Sequence, residues 1–367
     1  MLKNQRTNHE KVAAFSATLV LILLLILFLP GNSSAKVTGV CSNCHTMHNS
    51  QGGSEMQTGF GSTSGEKATL LRVNGCLGCH ASTDSAEWKN SLGAPIVYSS
   101  TGVPSNPLAG GNYYWVMNTG DGYGHNPVEI GNPDGLSDPP GIPHSVTGGF
   151  DLRCSGGNTG CHGDRYLDDS IAGFHHQNEG GTLTTANTVA NSFRGILKVK
   201  GAEDPDWEQA PASAHNLYSG ATSPPDPDTV ITCRACHDGF GTLPYDTISG
   251  FCGACHPHFH RLEPDMYEHG GTQNSGGQWI RHPSDILLPQ TGEYNGYPTY
   301  SAEAPVGYTD VSDPTRATAV VTCLSCHRAH GSPYPDMLRW DYTGMNAGGG
   351  TNTTGCFTCH TEKDTGS

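Results

Sequence analysis

Residues Cys41-Ser42-Asn43-Cys44-His45 read CSNCH, and the same Cys-x-x-Cys-His spacing returns five more times. The copies are Cys76, Cys79 and His80; Cys233, Cys236 and His237; Cys252, Cys255 and His256; Cys323, Cys326 and His327; and Cys356, Cys359 and His360. Thiols at this spacing can form thioether bonds to the two vinyl groups of one porphyrin, and the histidine that follows directly becomes an axial ligand of its iron. A zinc-binding pair also uses Cys-x-x-Cys. Zinc makes no demand for histidine at one fixed offset, yet all six pairs carry it. The six motifs therefore point to haem c.

Two of the 14 cysteines remain, Cys154 and Cys161, and the second is again followed by histidine, His162. Six residues separate them instead of two. A long loop can still present two thiols to two vinyl groups, and an ordinary local disulfide competes with that reading. The expectation is seven haems, with six as the minimum.

Residues 1–11 carry Lys3, Arg6 and Lys11, residues 12–29 form an apolar run, and residues 30–35 end in small side chains. That is the pattern of a cleaved export signal, so residues 1–35 read as a signal peptide and 36–367 as one multihaem cytochrome c domain. An uncleaved anchor, as in a membrane-bound quinol oxidase subunit, competes, because the run is at the short end of what spans a bilayer. The expected location is extracellular or on the outer cell surface, with the periplasm as the alternative. Removing residues 1–35 strips three basic residues and one acidic one, taking the formal charge from -15 to -17. Such a charge argues against nucleic acid as a partner and suits solubility or a basic redox partner.

Only 35% of the residues are hydrophobic, while 49 are glycine and 24 proline. Ordinary packing is insufficient for a chain of this length, and flat apolar porphyrins would supply the missing core. The expected fold is a mostly irregular chain, with short helices and few short strands, wrapped around a stack of c-type haems. Residues 192–201 read as the one ordinary strand, with Phe193, Ile196 and Val199 available for packing. Residues 113–116 read as a short strand or an aromatic wall, and residues 51–65 as loop. The acidic runs at 132–138 and 203–208 lack a calcium-loop spacing and read as solvated turns.

Of the 19 histidines, His9 leaves with the signal and seven follow cysteines, so eleven remain for the far faces of the irons. His48 and His330 lie three positions, and His260 four, beyond a motif histidine. If both residues sit on one short helix, both imidazoles leave the same side, and the extra one must serve a different haem or remain a solvated surface histidine. His125 lies in Gly124-His125-Asn126, where small neighbours let a flat macrocycle approach the backbone. His282 precedes a proline that biases it toward extended backbone. Adjacent residues point in different directions, so at most one of His175 and His176 serves a given iron. His176 is carried as the candidate together with His215, whereas His144 reads as a loop histidine.

At CSNCHTMHNS (Cys41–Ser50), Gly124-His125-Asn126, Cys252–His260, Arg281-His282-Pro283 and CLSCHRAH (Cys323–His330), the chain resembles extracellular multihaem c-type cytochromes that polymerise into conducting nanowire filaments. The landmarks follow the same order over nearly the whole mature chain. The resemblance implies bis-histidine haems, a head-to-tail homopolymer in which His48 ligates a haem of the next subunit, redox-partner cytochromes and an extracellular electron acceptor. It implies an electron carrier and not an enzyme. The competing function is a multihaem reductase of nitrite, hydroxylamine or a metal oxyanion, which needs an open iron position, often with lysine as the protein ligand. No Cys-x-x-Cys-Lys occurs. N-terminal sequencing of the secreted protein should begin at Lys36; a start at Met1 would convert residues 12–29 into an anchor.

Overall fold

The computed structural model describes residues 37, 39–56, 75–84, 87–105, 107–131, 139–140, 151–165, 167, 170–176, 181–204, 215–223, 246–256, 259, 282–348 and 353–363. The export signal, the motif at Cys233, Cys236 and His237, and the candidates His144 and His260 lie outside these residues. Among the described residues no helix is long and apolar enough to cross a membrane.

Regular structure comes in single turns and strands of two or three residues, as expected from so much glycine and proline. The α-helical pieces are Leu77–His80, Tyr114–Asn118 and Ile248–Gly253. In chain order the strands begin with β1 (Ser50–Gln51), β2 (Ser54–Glu55), β3 (Ala81–Ser82), β4 (Tyr98–Ser99), β5 (Arg153–Ser155) and β6 (Gly160–His162). They continue with β7 (Gly181–Leu183), β8 (Gly201–Glu203), β9 (Leu217–Ser219), β10 (Ile286–Leu287), β11 (Gly307–Tyr308) and β12 (Ala319–Val321). The last six form one open sheet in the order β10-β12-β11-β9-β8-β7. Every pairing in it is antiparallel except β11 with β9.

Apolar packing is divided among three small clusters. One gathers Phe193, Val199, Tyr218, Ile248 and Ala254. A second gathers Leu288, Tyr297, Val306, Tyr308, Ala319 and Val321 around β11 and β12. The third holds Tyr113, Val116 and Ile130 beside the second motif. Fully burying a large apolar side chain contributes about 1.5–3 kcal/mol, so clusters of three to six residues are thin support for a chain of this length.

Three local expectations are corrected. Residues 192–201 are not a strand: a 3-10 turn spans Phe193–Gly195, Arg194 and Lys198 take positive φ (51° and 74°), and apart from one isolated bridge between Ile196 and Gly163, pairing starts at Gly201. The Ser192 hydroxyl donates to the Ala186 and Thr188 carbonyls, and the Arg194 guanidinium binds the Asp204 carbonyl and Asn216. These bonds fold the segment, although Phe193 and Val199 are buried and Ile196 packs against them. Residues 114–118 form a helical turn and no strand. Inside the expected loop after Gln51, β1 and β2 pair across Gly52 and Gly53, whose positive φ angles suit a two-residue hairpin.

The segment 107–126 lies against 327–332. The Arg328 guanidinium donates to the Leu108 and Ala109 carbonyls, the His330 amide to Gly110, and the Asn112 amide to Gly331. A Cβ on Gly111 would lie 1.9 Å from the Gly331 carbonyl oxygen, and one on Gly124 would lie 2.6 Å from the His330 oxygen. Gly124 therefore serves close contact between two stretches of backbone. Gly111 and Gly131 share a left-handed φ (81° and 76°), but a Cβ on Gly131 meets nothing. Gly131→Ala should cost about 1–2 kcal/mol, the left-handed penalty alone. Gly111→Ala should cost clearly more, and equal denaturation midpoints for the two variants would contradict this packing.

Candidate haem-binding sites

Each described Cys-x-x-Cys-His motif is one closed backbone turn. The carbonyl of the first cysteine accepts from the histidine amide at 2.8 Å in His45, 2.9 Å in His80, 3.0 Å in His256, 3.1 Å in His327 and 3.0 Å in His360. It also accepts from the amide of the second cysteine in all five. Residues three and four positions apart on such a turn face the same side, so both thiols and the imidazole leave together. Neighbouring residues fix the turns: Thr247 caps the fifth motif's helix by accepting from the Gly250 amide, and Thr322 with Ser325 forms a capping box at the sixth.

The histidines come together in five pairs. Ring centroids are 5.8 Å apart for His45 and His176, 6.3 Å for His80 and His175, and 6.0 Å for His125 and His256. They are 6.3 Å apart for His162 and His330 and 6.2 Å for His282 and His360. Two imidazoles sharing one iron through nitrogens at ~2 Å, as on other first-row metals, have ring centres about 6 Å apart. Ring packing alone covers about 4.5–7 Å, so the spacing by itself fits either arrangement. Every pair joins one histidine that follows a cysteine to one that does not, and no motif is used twice. Interplanar angles run from 24° to 88°, which rotation about a shared nitrogen-iron-nitrogen axis permits.

The ring nitrogens are dressed for ligation. Nδ1 of His80 lies 2.9 Å from the Pro95 carbonyl oxygen, that of His162 3.0 Å from Arg194, that of His256 2.7 Å from Pro140 and that of His327 2.7 Å from Asp336. On the other side of the pairs, His125 donates to Ala329 at 2.7 Å and His282 to Pro283 at 3.1 Å. An Nδ1–H given to a carbonyl fixes the tautomer and leaves Nε2 for a metal. Burial lowers His80, His162, His282 and His327 below the usual histidine range, and takes His256 to about 4 and His330 to about 3. Burial also pushes the thiol of Cys161 up to about 11 and those of Cys326 and Cys359 up to about 12.

These residues fit haem. His162, His330, Cys161, Cys326 and Cys359 are desolvated by surrounding chain, yet each keeps part of its surface accessible. All twelve described cysteines are free thiols. Among the described residues no group of three or more His, Cys, Asp or Glu is arranged to hold a metal ion directly, and each motif histidine in a pair faces a second imidazole instead of joining a zinc-like cluster with its own cysteines.

The structure brings His125, His176, His282 and His330 opposite motif histidines and sets His48 and His215 apart. His215 stacks on Tyr300 with centroids 3.3 Å apart. His48 is exposed and has φ 58°, followed by Asn49 at 55°. The expected shared helix is therefore absent there: the 3-10 turn ends at Asn43, and His48 sits in a reversal between Met47 and Ser50. The same correction holds at His330, where the turn ends at Ser325 and His327 pairs with Leu338 in an isolated bridge. His175 is a residue that sequence reasoning passed over. Two adjacent histidines facing opposite ways can each serve a different iron, which was its available signal.

The last two motifs fall within a match to the doubled CXXCH motif family, over residues 316–365. The chain is 25% identical over 348 residues to C-type cytochrome OmcS of Geobacter sulfurreducens, covering 82% of this chain and 78% of that one. Among solved structures it is similar to the outer membrane cytochrome S filament of Geobacter sulfurreducens (21% identity, TM-score 0.42, 85% of this chain and 86% of the other). It is also similar to the cryo-EM structure of OmcS nanowires of the same organism (21% identity, TM-score 0.37, 90% and 94%). Along most of both sequences, and with motif turns that present two thiols and an imidazole together, the chain is similar to the C-type cytochrome OmcS.

Proposed function

We propose that the chain is an exported electron carrier whose haems are each held between two histidines and follow one another in a continuous row. The observation that carries this reading is the membership of the five histidine pairs, each joining a motif histidine to a non-motif one. Bound haem supplies a reversible one-electron iron couple, and the protein's part is to set spacing, ligation and burial. Full occupancy of both axial positions favours electron transfer over reduction of a substrate, which needs a vacant one.

Contacts between motifs support an order for this row. Adjacent His175 and His176 face His80 and His45, which ties the first motif to the second. The thiols of Cys76 and Cys154 are hydrogen-bonded to each other, as are those of Cys252 and Cys323. Cys161 and Cys255 lie within electrostatic reach of each other and of Arg165, and Cys326 feels both Cys356 and Cys359. In this reading the described motifs succeed one another in sequence order, from His45 and the exposed His176 at one end to His360 at the other. The motif at Cys233 is expected to carry a further haem.

The same reading extends to assembly outside the cell. His327 has an oriented Nδ1 but, among the described residues, no second imidazole at pair spacing. His48 is exposed on a left-handed turn beside the first motif. Donation of His48 to the iron at His327 of the next protomer is a heterologous contact that does not close, and such contacts build filaments. This reading agrees with OmcS, whose filaments and nanowires have been solved.

Two variant sets test these statements. His175→Ala and His176→Ala should each retain every haem, because attachment belongs to the cysteines, while one iron per chain turns from low-spin to high-spin; the double variant should convert two. Unchanged spectra in all three would sink the ligand pairs. His48→Ala should yield haem-loaded monomers or short oligomers by electron microscopy, and filaments of undiminished length would remove His48 from the contact.

A further inference from the structure

The stretched set at Cys154 and Cys161 has a fold of its own. Gly156, Gly157 and Asn158 take successive left-handed φ angles of 71°, 63° and 66°. The Gly160 amide donates back to the Gly156 carbonyl at 2.8 Å, and the Asn158 amide to Arg165 at 3.2 Å. The six-residue spacer is consumed in this closed loop, and its ends run side by side as β5 and β6. Parallel strands ordinarily need a connection of about a dozen residues or more, so the left-handed run is what makes the short return feasible. The register pairs Arg153 with Gly160 and Ser155 with His162, which sets Cys154 opposite Cys161. Two thiols are thereby placed side by side with the histidine next in line, the result that a single turn achieves in a Cys-x-x-Cys-His motif.

The surroundings match those of the other motifs. Nδ1 of His162 is tied to the Arg194 carbonyl as those of His80, His256 and His327 are tied to carbonyls. Its ring faces His330 at the spacing shared by the other pairs. Neither thiol is spent on a disulfide. Cys154 instead hydrogen-bonds to Cys76 of the second motif, and Cys161 lies near Cys255 of the fifth. The set therefore occupies the place between two haem motifs where a row would otherwise be interrupted.

We infer that Cys154, Cys161 and His162 hold a covalently attached haem, with His330 as its second axial ligand. The inference rests on the multihaem reading above. Each thiol adds across one vinyl double bond of iron protoporphyrin: a carbon-sulfur bond forms, the S–H bond breaks, and the hydrogen goes to the other vinyl carbon. No electrons are gained or lost, so the attachment needs no oxidant.

Trypsin cleaves after Arg153 and Arg165 and releases residues 154–165, which contain both cysteines and His162 and no other cysteine. Mass spectrometry of this peptide from the intact wild-type protein should find one haem on it. The peptide with free thiols or a disulfide, while the Cys-x-x-Cys-His peptides carry haem, would overturn this site and leave the multihaem reading standing. Absence of haem from all the motif peptides would overturn both. His330→Ala should leave the peptide haem-loaded and convert one iron per chain to high-spin. A haem-loaded peptide with an unchanged spectrum would refute the ligand role of His330.

Discussion

An iron with an imidazole on each face needs its two histidines on opposite sides of a flat ring, so one short turn cannot supply both. In the proposed arrangement every described pair draws on distant parts of the chain: His45 with His176, His125 with His256, His162 with His330. Each iron then closes a long loop, and closing long loops removes the most entropy from the unfolded chain. The contact between 107–126 and 327–332, with Gly111 against Gly331, places His125 and His330 where two such closures meet. In that arrangement, loading with haem would be coupled to folding for the same reason that metal binding is folding free energy in small metallodomains.

This constraint accounts for how little conventional structure there is. The six-stranded sheet is built from strands of two or three residues, and the buried apolar residues fall into three clusters. The sheet joins β9, from the middle of the chain, to β11 and β12, from its last third, so it brackets the segments that carry the later motifs. Buried polar anchoring does comparable work: the Asp285 carboxylate accepts from the Thr247 hydroxyl and the Ala221 amide, linking the start of the fifth motif's helix to β10. Secondary structure here places turns, and the turns place thiols and imidazoles.

The motif turns and the irregular fold were legible because covalent haem attachment fixes residue type and spacing together. The sheet was not, since strands as short as Gly307–Tyr308 show no period and contain glycine where Gly307 must pass close to Thr322. Segment 192–201 has strand-like apolar spacing, but Arg194 is held by Asp204 and Asn216 in a left-handed turn that presents its carbonyl to His162. Long-range bonds of that kind leave no trace in local sequence. The three-residue offset of His48 and His330 suggested helical continuation, whereas both lie beyond the end of a single turn. Which histidine faces which depends on the folded path alone, and His175 was passed over because only the path separates it from His176.

The central claim is that the irons sit between the paired histidines. A cryo-EM density map of the purified protein tests it directly. The account predicts one iron midway between the rings of each of the five pairs, bonded to both Nε2 atoms. Irons bound by the motif histidines while His125, His175, His176, His282 and His330 lie elsewhere would contradict it.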